Sequence, residues 1–151
     1  MIRKAEETDL PAIVQLLADD QLGSQRESAV APLDPAYNLA FAQMNQQKGN
    51  DLYVATKGDK IVGCMQLTFI TGLSRKGMTR MQIEGVRVSK ENRSAGFGKM
   101  MMEYAIDLAK SSQCGLIQLT TDKKREDAHR FYEGLGFESS HLGMKLDLLK
   151  S

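Results

Sequence analysis

Leu10, Ile13, Val14 and Leu17 recur at intervals of three and four, the spacing of one helix face, and Thr8 or Asp9 ahead of them supplies an N-cap. Tyr37, Ala40, Phe41 and Met44 repeat the pattern behind Asp34-Pro35, where proline suits a first helical turn. Between these two helices, residues 21–33 are polar and aperiodic, a loop that is a candidate substrate rim. Ile2 to Ala5 reads as a short first strand. Asp51 to Lys57 and Ile61 to Thr71 read as two more, joined at Gly58-Asp59-Lys60 into an antiparallel hairpin. Gly72 to Gly77, with Arg75 and Lys76, is a basic hairpin tip. Further on, Phe97, Met100, Met101, Tyr104, Ala105, Leu108 and Ala109 mark a long amphipathic helix whose methionines fill the core. Gly115 to Thr120 reads as a buried strand. Ala128, Phe131, Tyr132 and Leu135 share a face of a fourth helix that stops at Gly136, and Phe137 to Leu148 supplies the last one or two strands.

One strand breaks its own rhythm. Met81 and Ile83 place the apolar alternation on odd positions, whereas Val86 and Val88 place it on even ones, so the phase slips at Glu84-Gly85. One extra residue in a strand is a β-bulge, which a glycine eases and which frees backbone groups around Val86 and Val88 for an extended ligand. The strand then runs through a polar loop into Arg93-Ser94-Ala95-Gly96-Phe97-Gly98-Lys99 and a helix. Glycines there admit a bulky anion close to the backbone, the N–H groups of the first helical turn point at it, and Arg93 and Lys99 add positive charge. This is the pattern of a diphosphate cradle.

Composition narrows the choices. A chain of 151 residues suits one domain, 1–151, able to bury its own core. With 20 basic and 19 acidic residues the net charge is +1, which points to no nucleic acid and no membrane surface, so an anion site must be local. Cys64 and Cys114 sit in apolar runs without ligand spacing and read as core thiols; His129 and His141 are too sparse for zinc, and no metal is expected. Without an apolar signal core or a membrane-length run, the expected location is cytoplasmic.

The strand Ile83-Glu84-Gly85-Val86-Arg87-Val88, the turn Arg93 to Gly98, and Ala128-His129-Arg130-Phe131-Tyr132-Glu133-Gly134-Leu135-Gly136-Phe137, in this order, resemble the GCN5-related N-acetyltransferase (GNAT) superfamily. The resemblance implies an α+β fold: a mixed, mostly antiparallel sheet of six to seven strands flanked by about four helices, with a bulge and a splay at the central strand. It implies acetyl-coenzyme A as cosubstrate. The N–H groups of Val86 and Val88, with Arg87 between them, would meet the pantetheine arm; those of Ser94, Ala95, Gly96, Phe97, Gly98 and Lys99, beside Arg93, would hold the pyrophosphate. Arg125 stands where many members have a cofactor-contacting asparagine, and it could approach a phosphate or be solvated.

The implied reaction is direct attack of an amine on the acetyl group in a ternary complex. Glu84, at the bulge, is the candidate base, the N–H of Val86 the donor to the carbonyl oxygen, and Tyr132 the proton donor to the departing sulfur. A small-molecule amine is the expected acceptor. Alternatives are a non-catalytic acyl-coenzyme A sensor and an acetyltransferase of protein N-termini or lysines, and a homodimer is left open.

Overall fold

A β-hairpin forms the centre of the sheet: β2 (Asn50–Lys57) pairs antiparallel with β3 (Lys60–Thr71) from Asn50↔Thr68 to Lys57↔Lys60. In the computed structural model, which describes residues 1–150, the other elements follow in order. β1 (Ile2–Lys4) leads through a 3₁₀ turn (Glu7–Asp9) into α1 (Leu10–Ala18), the single turn α2 (Gly23–Arg26) and α3 (Pro35–Gln46). After the hairpin come the single turn α4 (Ser74–Gly77), β4 (Thr79–Val88), a 3₁₀ turn (Lys90–Asn92), α5 (Phe97–Ser111), β5 (Leu116–Leu119) and α6 (Glu126–Gly134). The expected α+β class holds, with a mixed sheet in the order β1-β2-β3-β4-β5 and four helices longer than one turn.

The caps are where the residue types put them. Asp34 accepts from the N–H of Ala36 at the start of α3, and Gly136, at φ +97, ends α6 in the left-handed conformation that a helix stop uses. α1 and α3 pack on one face of the sheet, where Leu10, Ile13, Leu16, Phe41, Val54 and Cys64 form a buried cluster. α5 packs against β3 and β4, burying Met101, Met102, Ala105 and Ala109. Of the expected core methionines Met101 is buried and Met100 is half-buried, while Met102, off the predicted stripe, is buried and Tyr104 is at the rim, its ring 5.6 Å from that of Tyr53.

Among the described residues the strand number is lower than expected, five rather than six to seven. Residues 138–150 form no strand, because alternation alone does not make one: a strand needs a partner edge for its backbone groups, and here none is bonded to it. β5 is half-buried rather than buried, as befits a strand at the sheet's edge. Cys114 is likewise half-buried, and both cysteines are free thiols.

The chain divides by its contacts into two units, Met1–Gln118 and a second beginning at Leu119. Within the second, α6 is anchored by Tyr132, whose ring lies 5.3 Å from Phe131 and 5.8 Å from Phe137. Among the described residues no helix is long and apolar enough to cross a membrane.

Candidate functional site

The phase slip in β4 is a bulge in three dimensions. β3 and β4 pair in step from Thr71↔Thr79 to Gln66↔Glu84, and resume at Cys64↔Arg87. Met65 alone therefore stands opposite Gly85 and Val86. Gly85 has φ +61, a left-handed conformation that costs an L-residue about 1–2 kcal/mol and costs glycine little.

Past the bulge, the N–H of Ser89 donates to the Val62 carbonyl at 2.8 Å. Peptide groups alternate sides along a strand, so those of Val88 and Val86 face away from β3. On that side β5 gives no cover. Gly115 N–H donates to the Thr79 carbonyl at 2.9 Å, and the side-chain Nε2 of Gln118 donates to Oε1 of Gln82 at 2.8 Å, so β5 runs parallel to β4, with α5 as the crossover. With four residues against ten, β5 accompanies only the first part of β4. That is the splay the resemblance implied. The Val86 carbonyl accepts from Arg87 Nη1 at 2.9 Å and that of Val88 from Arg93 Nε at 3.3 Å, which leaves the N–H groups as what this edge has to offer.

The loop that follows is fixed by a buried polar pair, Asn92 Nδ2 donating to Ser89 Oγ at 2.8 Å. Ser94 (φ +66) and Gly96 (φ +87) then turn the chain into α5. The N–H of Met100 to the Gly96 carbonyl, 3.0 Å, is the first helical bond, and no side chain caps the end, so Phe97, Gly98 and Lys99 present N–H groups with the positive end of the helix dipole behind them. Ala95 N–H is not among these donors, since it is bonded to the Asn92 carbonyl at 3.3 Å. A Cβ at Gly96 would meet nothing within 4 Å, so the space in front of the turn is open. An anion fits there: donors, charge and room coincide. Lys99 is exposed and pairs with Glu103 at 3.8 Å.

Arg87 lies between the two valines on this strand. Its guanidinium is largely buried and lies 3.8 Å from Asp20, just beyond α1. Asp20 also caps the N–H of Gly23, and Lys90 pairs with Asp19 at 3.6 Å. Ala18, Asp19, Asp20, Gln21, Ser24, Lys90 and Arg93 line an open cleft of about 450 Å³. Sequence reasoning marked residues 21–33 as a rim but missed Asp19 and Asp20. The Asp20-to-Gly23 spacing, an acidic cap three residues ahead of a turn, was the available signal.

Glu84 is exposed, opposite Gln66 on the face of the sheet that α1 covers further along. Around it lies a half-buried row of amides and hydroxyls. Asn50 Oδ1 accepts from Gln66 Nε2 at 2.8 Å and from Thr68 Oγ1 at 3.2 Å, while Gln82 faces Gln118. Cys64, which donates to the Gly85 carbonyl at 3.5 Å, is held by burial at a pKa of about 12 and is no nucleophile.

The remaining sequence candidates belong to the second unit. Tyr132 is half-buried on α6, and Arg125, half-buried, is the residue before that helix, its carbonyl accepting from the N–H of His129 at 3.1 Å. His129 is exposed and contacts Glu133 at 3.0 Å, and His141 is exposed.

A family model described as the acetyltransferase (GNAT) family matches residues 10–137. Over 149 residues, 97% of this chain and 95% of the relative, the sequence is 29% identical to glucosamine 6-phosphate N-acetyltransferase of Trypanosoma brucei brucei. A shorter match, 46% identity over 46 residues, spans 30% of this chain and 32% of an uncharacterized N-acetyltransferase, YhdJ, of Bacillus subtilis. Among solved structures, one described as a transcriptional regulator from Bacillus halodurans C-125 superposes with a TM-score of 0.95 at 47% identity, covering 98% of this chain and 99% of that one. A Trypanosoma brucei acetyltransferase superposes with a TM-score of 0.77 at 29% identity, covering 98% and 99%.

Proposed function

Because the chain belongs to the acetyltransferase (GNAT) family, we propose that it moves an acetyl group from acetyl-coenzyme A to the amine of a small molecule, by direct attack in a ternary complex and within one catalytic domain. The observation that carries this reading is the bulge at Gly85, which turns the N–H groups of Val86 and Val88 outward on a strand that leads into the anion-ready turn before α5.

Acetyl-coenzyme A supplies the acetyl group as a thioester, already activated toward an amine. The chain's residues do the rest. Val86 and Val88 bond the pantetheine amides as an added strand would, and Ser94, Gly96, Phe97, Gly98 and Lys99 surround the pyrophosphate, with Arg93 and Lys99 balancing its charge. Arg125 is a further phosphate contact. An alkylammonium, with a pKa of about 10.4, must lose a proton before it attacks, and Glu84 takes it, directly or through water. The N–H of Val86 donates to the carbonyl oxygen as charge gathers there, and Tyr132 gives its hydroxyl proton to the departing sulfur. The amides of Asn50, Gln66, Gln82 and Gln118 near Glu84 favour a small polar acceptor over an alkyl chain. The likeness to a glucosamine 6-phosphate N-acetyltransferase along nearly the whole chain supports the small-molecule class.

One observation favours a second reading. The 47% identical neighbour is described as a transcriptional regulator, and the same cradle without turnover would make an acyl-coenzyme A sensor. Thiol release from acetyl-coenzyme A, measured against amino sugars, polyamines, amino acids, aminoglycosides and peptide N-termini, separates the two. Saturable release with one class is expected, and Tyr132→Phe should lower kcat by about 100-fold or more with coenzyme A affinity unchanged. Tight coenzyme A binding with no release from any acceptor would establish the sensor instead.

A further inference from the structure

Past the bulge, the open side of β4 carries carbonyls as well as N–H groups, and side chains meet them. The Val86 carbonyl accepts from Arg87 Nη1 at 2.9 Å, and the Val88 carbonyl from Arg93 Nε at 3.3 Å. The two donors differ in setting. Arg93 lies in an exposed loop, whereas the Arg87 side chain is only 15% exposed. A guanidinium that dry needs a countercharge, and Asp20, from the corner between α1 and α2, faces it.

Asp20 is set in place before it meets Arg87. Its Oδ1 accepts from the N–H of Gly23, and its carbonyl accepts from the N–H of Ser24 at 2.8 Å. Gly23 is buried, and a Cβ on it would stand 1.9 Å from the Leu17 carbonyl oxygen and 2.8 Å from Asp20 Oδ1, so the corner has no room to shift. The second carboxylate oxygen, Oδ2, lies 3.8 Å from Arg87 Nε. The neighbouring pair is looser. Asp19 and Lys90 are 3.6 Å apart, with the lysine side chain 64% exposed and screened by water.

We propose that Asp20 is a positioning residue for the cofactor strand: through Arg87 it holds the Val86 carbonyl, and so fixes the peptide planes from which Val86 and Val88 present their N–H groups to coenzyme A. This rests on the acetyl-coenzyme A reading given above. β3 fixes the main chain at Cys64↔Arg87, while Val86 falls in the gap of the register. A peptide between a fixed residue and an open edge is free to rock, and a donor anchored from another element stops it. N–H groups already held in the binding direction lose less freedom when a ligand arrives. Arginine suits the task because its planar fork turns one edge to a carboxylate while another N–H reaches the carbonyl.

Titration calorimetry of the whole protein with coenzyme A, on wild type, Asp20→Asn, Asp19→Asn, Arg87→Lys and the Asp20→Asn/Arg87→Lys pair, tests this. Asparagine keeps an oxygen for the Gly23 N–H, so the corner and the Tm should survive. Asp20→Asn should raise the Kd at least about 10-fold, the loss of one hydrogen bond made by a charged group. Combined with Arg87→Lys it should be no weaker than the worse single variant, because the two residues act as one unit. Asp19→Asn should stay within about 2-fold of wild type. The sign separates positioning from charge. Both acids share a cleft with Lys90 and Arg93, so an Asp20 that acted on the bound anion by charge alone would, once neutralised, tighten binding. Tighter or unchanged binding in Asp20→Asn overturns the proposal, as do additive effects in the pair. A wild type that binds no coenzyme A would overturn the acetyl-transfer reading instead. The tie is then decided by the amide resonances of Val86 and Val88 in the ligand-free protein, which Asp20→Asn shifts if Asp20 holds the strand and leaves in place if it does not.

Discussion

β3 has a neighbour on each side, and the two are built for different purposes. Toward β2 it is paired to the turn, and the ladder passes on to β1, where Arg3 and Asp9 tie the outermost strand to the start of α1. Toward β4 the pairing holds through Met81 and Ile83, both essentially inaccessible, and then breaks at Gly85, past which the strand is accompanied by β3 alone. One flank spends its backbone on holding the sheet together, and the far half of the other keeps N–H groups for a ligand. Each ladder carries one register slip, between Ala55 and Thr56 toward β2 and at Gly85 toward β4, and what differs is that β1 still accompanies β2 at the first slip whereas β5 does not reach the second. The last core side chain of β4, Ile83, lies two positions before Gly85, so the opening does not cut into the core.

The two functions should come apart under mutation. Met81→Ala removes a fully buried side chain from the holding half of β4 and should destabilise the fold by about 3 kcal/mol in denaturant titration, with coenzyme A affinity in the folded protein unchanged. A large loss of affinity at unchanged fold would show that the halves are coupled after all. Gly85→Ala is the reciprocal experiment. A Cβ there would sit 3.6 Å from Leu17 Cδ2, an ordinary contact, so the cost comes from φ +61 alone, about 1–2 kcal/mol, or else the bulge relaxes and coenzyme A binding drops. Gly85→Asn should cost less than alanine, because asparagine tolerates the left-handed region better. If both variants behave alike, the backbone conformation is not what the glycine is for.

How much of this was legible beforehand follows the same division. The helices could be read because their apolar stripes and caps are local, and the bulge could be read because a change of phase at Glu84-Gly85 is written in consecutive residues. Asp20 was missed although its spacing to Gly23 is that of a cap, and its hold on Arg87 and the buried Ser89–Asn92 pair could not be read, since a polar residue in a loop looks the same whether it is solvated or fixing a turn. The segment after Phe137 was misread for a deeper reason. Its alternation is that of a strand, and whether it becomes one depends on an edge that no pattern in its own residues specifies.

The smallest expected effect belongs to the holding flank and concerns pH. Arg3 Nη1 and Nη2 reach the two oxygens of Asp9 at 2.7 and 3.1 Å, and the N–H of Glu6 donates to the same carboxylate at 2.8 Å. The guanidinium holds the Asp9 carboxyl below its ordinary value of 3.8, against the opposing pull of burial, and the Glu6 N–H adds to it. A carboxylate with a depressed folded-state pKa contributes stability that is complete above the unfolded value and is lost as pH falls through the folded one. Wild type should therefore lose stability below about pH 4 partly by protonating Asp9. Arg3→Gln should lower Tm at neutral pH, and the gap to wild type should narrow as the pH is taken down through that window. Thermal melts from pH 7 to pH 2.5 would measure it. A gap that stays constant would assign the loss to packing of the Arg3 stem, and a gap that widens would contradict the depressed pKa. In Arg3→Gln the coenzyme A affinity at neutral pH should not change, because the tie lies on the flank of β3 away from the bulge at Gly85.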